Sequence, residues 1–404
     1  MKNIIVITGL LFVTAFAKGQ QLQSYIQEAE NNNPEVQAFE IRYKIAKEKV
    51  EEVDALPNTE LSAGFFVSEP ETRTGAQKAR FSVRQMLPWF GTITARENYA
   101  GSLAEVDYLD IVITKRKLRL SVSQSYYRLF AITQQQKVLE ENIQLLKTYE
   151  QLALTSVEVG KASAVDVLRL QIRQNELEEN KWVLEREYQA EQTKFNKLLN
   201  RDDSMAIAVV DSLPLYDATE IDEAGLAVHP ELEKYDRLYE SVAQSELLNQ
   251  KESNPDLGFG LDYIPVADRA GMDFSDNGKD ILMPMVSLSI PIFTNKYKSK
   301  TIQNELKQEE INARKGNRKN LLETILSDAI NNREAARIKY RTQLKNLEKA
   351  KDAEQILTKN YETGTIDFND VLDIQELQLR FQMNGIEAIK NNYVQMAIVN
   401  YLKG

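Results

Sequence analysis

Apolar residues recur at helical spacing over most of this 404-residue chain. Leu118, Val122, Tyr126 and Leu129 lie four, four and three residues apart; Leu139, Ile143, Leu146 and Tyr149 lie four, three and three apart. Those steps hold one stripe on one side of a helix, close to the 3.5-residue coiled-coil period. Residues 102–159 contain no Gly or Pro, a run of 58 residues that spans about 87 Å if helical. A second breaker-free run covers 161–200, and the second half offers helices over 317–363 and from about 367 onward. Much of the remaining helix surface is Gln, Glu, Lys and Asn, as in QQQKVLEENIQLLK at 134–147, and reads as a solvated coiled-coil face. No isolated domain of ordinary size needs helices this long, so they predict an elongated tube or rod.

Four shorter segments switch to period two. NTELSAGFFV (58–67), KARFSVRQM (78–86), DLGFGLDY (256–263) and MVSLSIP (285–291) each alternate apolar residues with charged, small or polar ones. Strict alternation over about 9–11 residues is the pattern of a transmembrane β-strand, with lipid on one side and water on the other. A half-buried antiparallel sheet on a soluble domain gives the same pattern. Four strands cannot close a barrel, and open edges are forbidden in a bilayer. If these strands lie in a membrane, they are pooled among subunits.

The chain repeats itself. VGKASAVDVLRLQ (159–171) returns as TGTIDFNDVLDIQ (363–375), and LPWFGT (87–92) returns as IPIFTN (290–295). NNNPEVQAFEIRYKIA (31–46) resembles AVHPELEKYDRLYESVA (227–243). The offset is 196 at Pro34/Pro230, 203 at Pro88/Pro291 and 204 at Gly160/Gly364, so about seven residues are inserted within ADRAGMDFSDNGKD (267–280) as an enlarged loop. The repeat predicts two copies of one structural unit, over residues 18–210 and 211–404. In each Gly-x5-Asp-Val-Leu phrase, Gly160 and Gly364 suit a left-handed helix end, and Asp166 and Asp370 suit an N-cap or first-turn position.

Composition and termini narrow the compartment. Residues 1–17 read as a secretory leader, with Lys2, an apolar run over 4–16 and the Ala15-Phe16-Ala17 cleavage pattern; a buried N-terminal helix is the alternative. The sequence has no Cys, so stability comes from packing or assembly rather than disulfides, and no acylatable Cys follows the leader. No other apolar run is long enough for a spanning helix. A formal charge of −10 argues against nucleic acid as a partner.

The duplicated plan, the four alternating strands and the two Gly-x5-Asp-Val-Leu phrases together resemble the TolC-like outer-membrane efflux protein family. The resemblance implies a mainly α fold with a small β part. A long α-helical coiled-coil barrel extends into the periplasm, and four strands from each of three subunits close one twelve-stranded transmembrane barrel in outer-membrane lipid. It implies a homotrimer that works as the exit duct of a tripartite system, with a periplasmic adaptor docking at the helix tips and an inner-membrane pump feeding it. It carries a narrow aperture onto Asp370 and Asp373 as acidic rings, with Tyr361 beside them, and makes Gly160, Gly364 and Asp166 the tip turns and adaptor contact. Acidic rings attract cations and repel anions. The family often has Arg where this chain has Ile366, bracing the closed state to the position of Asp166, so here the closed state is held otherwise. Asp373 has no counterpart in the first copy, where Arg169 stands, which places the gate on the second copy.

Pro88, Trp89 and Pro291 mark the strand-to-helix junctions; Trp89 and Phe90 suit either a barrel's aromatic girdle or a packed junction. The LPWFGT junction resembles the branch of the family paired with heavy-metal cation pumps; drug efflux and protein secretion remain open. His229, the single His, stands before Pro230 at an expected helix start, and one His without Cys makes a conventional zinc site improbable. The eight Met residues form no cluster along the sequence. No phosphate loop, nucleophile elbow or His-based constellation appears, so no enzyme activity, cofactor or resident metal is expected. The competing reading is a secreted coiled-coil scaffold or adhesin-like protein, which explains the leader and helices but not strands placed alike in both halves.

Overall fold

The computed structural model describes residues 21–160, 163–215, 229–363, 365–366 and 368–403. The expected leader and Gly364 lie outside these residues. The elements in chain order are α1 (21–32), α2 (Pro34–Val53), β1 (Glu60–Phe65), β2 (Glu71–Thr72), β3 (Gly75–Ala76), β4 (Ala79–Leu87), α3 (Thr92–Glu158) and α4 (Ala164–Leu198). They continue with α5 (Pro230–Glu252), β5 (Asp256–Ile264), β6 (Ile281–Ser289), α6 (Asn295–Glu362) and α7 (Phe368–Lys403). The order helix, two long strands, long helix, helix thus occurs twice. The paired helices match in length, 67 against 68 residues for α3 and α6 and 35 against 36 for α4 and α7.

Two helices extend further than their breaker-free runs. α3 passes through Gly101 and α6 through Gly316. A mid-helix Gly costs only about 1 kcal/mol, which tens of neighbouring helical hydrogen bonds absorb. The expected start at 317 is therefore corrected to Asn295.

Contacts divide the chain into two compact units. One comprises Met1–Ala38, Ile111–His229 and Lys319–Gly404; the other comprises Phe39–Asp110 and Pro230–Arg318. Each unit draws on both sequence repeats.

The second unit holds an antiparallel sheet in the order β1-β4-β5-β6. The register pairs Leu61 with Val83, Val83 with Leu261 and Leu261 with Pro284, so the apolar positions of all four strands share one face. Several of them stay exposed: Phe65 81%, Val83 46%, Phe259 50% and Val286 73%. The opposite face carries Ser62, Arg80, Ser82, Arg84 and Asp262. β6 starts at Ile281, four residues before the expected start, because Asp280 locks the end of the hairpin. Asp280 accepts from the Val266 N–H at 2.9 Å and from the Tyr263 hydroxyl at 2.5 Å. The enlarged 267–280 loop lies on a small ribbon, β2-β3, which sequence periodicity did not reveal. Ala267 N–H donates to the Ala76 carbonyl at 2.9 Å, and Arg73 pairs with Asp276 at 2.8 Å. Among the helices of this unit, Asp110 receives Lys234 of α5 at 2.6 Å, and Arg42 of α2 reaches Asp107 at 2.7 Å.

The first unit is all helix among its regular elements. The stripe expected on α3 forms its core: Val122, Leu129, Leu139 and Ile143 are each at most 3% exposed. Leu118 to Leu129 pack with Ile26, Ala29 and Val36 of α1 and α2 and with Phe195 of α4. Leu139 to Tyr149 pack with Leu170 and Leu177 of α4 and Val371 and Leu379 of α7. His229 is buried directly before α5, its ring against Tyr401 at 5.3 Å. No helix among the described residues is long and apolar enough to cross a membrane.

Candidate functional site

The two helix turns of the first unit are built by different local means. At the first, the Gly160 N–H donates to the Val157 carbonyl at 3.0 Å, and φ is +71°. That left-handed geometry suits Gly, as expected from the repeat. The next helix starts with a capping box. The Val165 N–H donates to Ser163 Oγ at 3.2 Å, and the Ser163 N–H donates to Asp166 Oδ2 at 3.1 Å. Ser163 is therefore the N-cap, and Asp166 sits at the third helical position.

The second turn is tied by Thr365, whose N–H reaches the Asn360 carbonyl at 3.0 Å. Asp370 lies in the first turn of α7 and is exposed, where its charge favours the helix end. Phe368 is buried, its ring 4.9 Å from that of Tyr361 and 5.8 Å from that of Tyr149. The Tyr361 hydroxyl is buried without a hydrogen-bond partner among the described residues. Ile366 packs against this same cluster, so the turn is lined by apolar side chains.

Just inside the turns stand two matching carboxylate clamps, related by the 204-residue offset. In the first copy, Gln171 and Gln174 of α4 donate to Glu150 of α3 at 2.7 and 2.9 Å. In the second, Gln375 and Gln378 of α7 donate to Glu354 of α6, the latter at 2.7 Å. Two carboxamides one helical turn apart span both oxygens of one carboxylate. The donation from Gln171, then Gln174, holds the Glu150 carboxyl below its usual range. The second clamp is the deeper one, because Tyr149 of α3 also donates to Glu354 at 2.9 Å. Burial and the Glu354 carboxylate push the Tyr149 phenol upward, so it remains a proton donor. Sequence comparison exposed the Gln171/Gln375 identity, but not the carboxylate that each Gln serves.

Asp373 is exposed and lines a groove of about 430 Å³ between α4 and α7. Arg169, Arg173, Asn369 and Glu376 share it. Arg169 donates to Asn369, and Arg173 lies 3.9 Å from Glu376 and 2.6 Å from Glu176. The Arg and Asp that differ between the repeats are thereby brought to one groove. Arg173 and Glu376 are functional candidates that the motif comparison missed, since neither lies in the Gly-x5-Asp-Val-Leu phrase.

In the second unit, β4 ends at Leu87, and Pro88 and Trp89 lead into α3 through a Thr92 N–H bond to the Trp89 carbonyl at 2.9 Å. The Trp89 and Phe90 rings meet edge to face at 5.8 Å. Phe90 is 77% exposed, and Phe293, beyond Pro291 at the matching junction, is 88% exposed. These phenyl rings are not core residues of the chain. No group of three or more His, Cys, Asp or Glu side chains among the described residues is placed to hold a metal ion.

Residues 25–201 match the outer membrane efflux protein family. The match spans the first repeat. The fold continues through the second repeat. The chain is similar to the outer-membrane channel OprN, with 16% identity, a TM-score of 0.78 and coverage of 95% of this chain and 90% of that one. It is similar to the outer membrane protein VceC from Vibrio cholerae, with 16% identity, a TM-score of 0.75 and coverage of 95% and 96%. It is similar to CusC, whose structures concern transmembrane channel formation, with 12% identity, a TM-score of 0.77 and coverage of 95% and 92%. No curated protein matches the chain. The fold of the chain is that of these outer-membrane channels.

Proposed function

We propose that this protein is the trimeric exit duct of a tripartite efflux system, passively conducting what an inner-membrane pump and a periplasmic adaptor deliver. The observation that carries this reading is the four-stranded sheet. One face is apolar and exposed, the other is polar, and strands β1 and β6 end the sheet with open edges. Such a sheet is stable in lipid only if other copies close it. Three copies supply twelve strands. The helices carry a matching signature: Val165, Leu168 and Ile172 of α4 form an exposed stripe, 51%, 58% and 59% accessible, that a neighbouring subunit would cover.

In this assembly Asp370 and Asp373 line the aperture, with Tyr361 behind them, and the Gly160 and Gly364 turns with Asp166 meet the adaptor. Arg169 and Arg173 brace the closed state to Asn369 and Glu376, in place of the Arg that Ile366 replaces. Pro88, Trp89 and Pro291 set the junction with the barrel. The proposed substrates include heavy-metal cations.

Detergent extraction followed by native mass measurement and planar-bilayer recording tests the reading. A trimer that migrates differently before and after heating, and that forms pores, is the expected result. A soluble monomer released from the periplasm would support the scaffold reading and end this one. Replacing both Asp370 and Asp373 by Ala is expected to raise single-channel conductance and weaken block by cations; unchanged values for both remove them from the aperture.

A further inference from the structure

α4 and α6 each carry a second stripe, on the side turned away from the core. On α4 the core side is Val167, Leu170 and Leu177. Ile172 and Glu179 each stand two residues after a core position, about 200° round the helix, and Trp182 continues their line at coiled-coil spacing. On α6 the inward side carries Leu347, Glu354 and Leu357. Lys349, Ile356 and Lys359 stand two residues after these, and Lys345 lies on the same line. All of these outer positions are exposed, Trp182 at 67% and Ile356 at 61%.

The charges on the two outer faces are little used within the chain. Among the described residues, Glu179, Lys345 and Lys359 have no hydrogen-bond or ion-pair partner. Lys349 reaches only Asp352 of its own helix, at 3.3 Å, with both side chains mostly exposed. Carboxylates nearer the core behave differently: Glu140, Glu150 and Glu354 all find partners on another helix.

Contacts within the chain fix the height of one stripe against the other. Arg173 of α4 faces Glu376 of α7 at 3.9 Å, and Gln378 of α7 faces Glu354 of α6 at 2.7 Å. α4 and α7 run in the same direction and α6 runs against them. Ile172 is therefore level with Ile356, Glu179 with Lys349, and Trp182 with the interval from Lys345 to Lys349, each within about one helical turn. A cyclic trimer is generated by rotation alone, so neighbouring copies keep these heights. Its contacts are heterologous, so each copy presents two different faces.

We propose that the outer face of α4 on one copy packs against the outer face of α6 on the next, with Ile172 on Ile356, Glu179 on Lys349 and the Trp182 indole against Lys345. The assignment rests on the exit-duct reading for the ring and names the surfaces that close it. It covers the exposed apolar side chains, sets a carboxylate against an ammonium and gives an indole face a cation. A charged residue at a seam position fixes register and partner more than it adds stability, which is the role this places on Glu179.

The protein has no Cys, so introduced thiols are the only ones present. Glu179→Cys/Lys349→Cys in the full-length protein, extracted in detergent and treated with a short bismaleimide, is expected to give covalent dimers and trimers on denaturing gels. Each single Cys variant is expected to run as a monomer, because the two faces differ. If the double variant weakens assembly, Ile172→Cys/Ile356→Cys reports the same contact. Glu179→Lys is expected to lower the trimer fraction at least about fivefold at limiting dilution, and Glu179→Lys/Lys349→Glu to restore it. Crosslinks confined to one chain, dimers from a single Cys variant, attachment to a different polypeptide, or charge reversal without rescue overturn the proposal. Planar-bilayer recording separates the two readings: pores from a protein that gives no covalent dimer or trimer remove the seam and leave the duct, whereas covalent trimers without pores keep the seam and remove the duct.

Discussion

Replacing Glu354 by Ala tests whether the second clamp holds the α6–α7 turn together. Three donors converge on this carboxylate: the Tyr149 hydroxyl, Gln375 Nε2 and Gln378 Nε2. The residues that carry them are 8%, 6% and 6% exposed, so water cannot replace the lost acceptor. A buried donor left unpaired costs about 1–3 kcal/mol. Two of the donors have partial alternatives, since Gln375 also reaches the Tyr149 hydroxyl at 3.3 Å and Gln378 the Ala350 carbonyl at 3.3 Å. Discounting for these leaves a loss of about 3 kcal/mol in the local stability of the turn, which is a factor of roughly 100 in its opening equilibrium. Hydrogen exchange of peptides covering 350–380 in the detergent-purified protein reads that factor directly. Glu354→Ala should raise exchange there by about two orders of magnitude and leave the β5–β6 peptides unchanged. An increase of less than about threefold would mean that the donors are hydrated or re-paired, and the clamp would not be a structural tie.

The first turn offers three further checks. Gly160→Ala places a side chain at φ +71° with open space around it, so only backbone strain opposes it, at roughly 1–2 kcal/mol; increased proteolysis within 155–166 is the expected readout. Ser163→Ala removes half of the capping box and should destabilise the start of α4 by about 1 kcal/mol, measured by exchange at Val165 and Asp166. The Glu150 carboxyl is held low in the folded state, so its stabilising effect is complete above the ordinary value of 4.5 and fades as pH falls through the lowered one. Exchange in α3–α4 near the turn should therefore accelerate below about pH 4.5 in wild type, and Glu150→Gln should flatten that response. On the sheet, Leu261→Arg puts a charge on the apolar face and should cost about 2–4 kcal/mol in a bilayer, reducing heat-modifiable trimer on gels, whereas Ser62→Arg on the opposite face should be tolerated.

Local periodicity alone determined most of the secondary structure. The steps from Leu118 to Tyr149 reported a buried stripe because helical neighbours three and four apart share a face wherever the helix goes. The alternation in 256–263 reported a strand in the same way, and the 204-residue offset reported that the plan occurs twice. Tertiary structure decided what those elements meet. Gln171 and Gln375 were visibly equivalent, yet only the folded hairpins set them against Glu150 and Glu354, because that pairing depends on where each turn reverses the chain. Only the hairpin lock at Asp280 fixed the start of β6, and with it the register that sets Met285 over Gly260, next in line to the Gly258 that Met86 covers. Met86 and Met285 lie 199 residues apart, too far for any local period to connect. Arg169 and Asp373 reached one groove for a like reason: a sequence pattern encodes the face a side chain occupies, whereas contact between faces depends on register and packing across the whole chain.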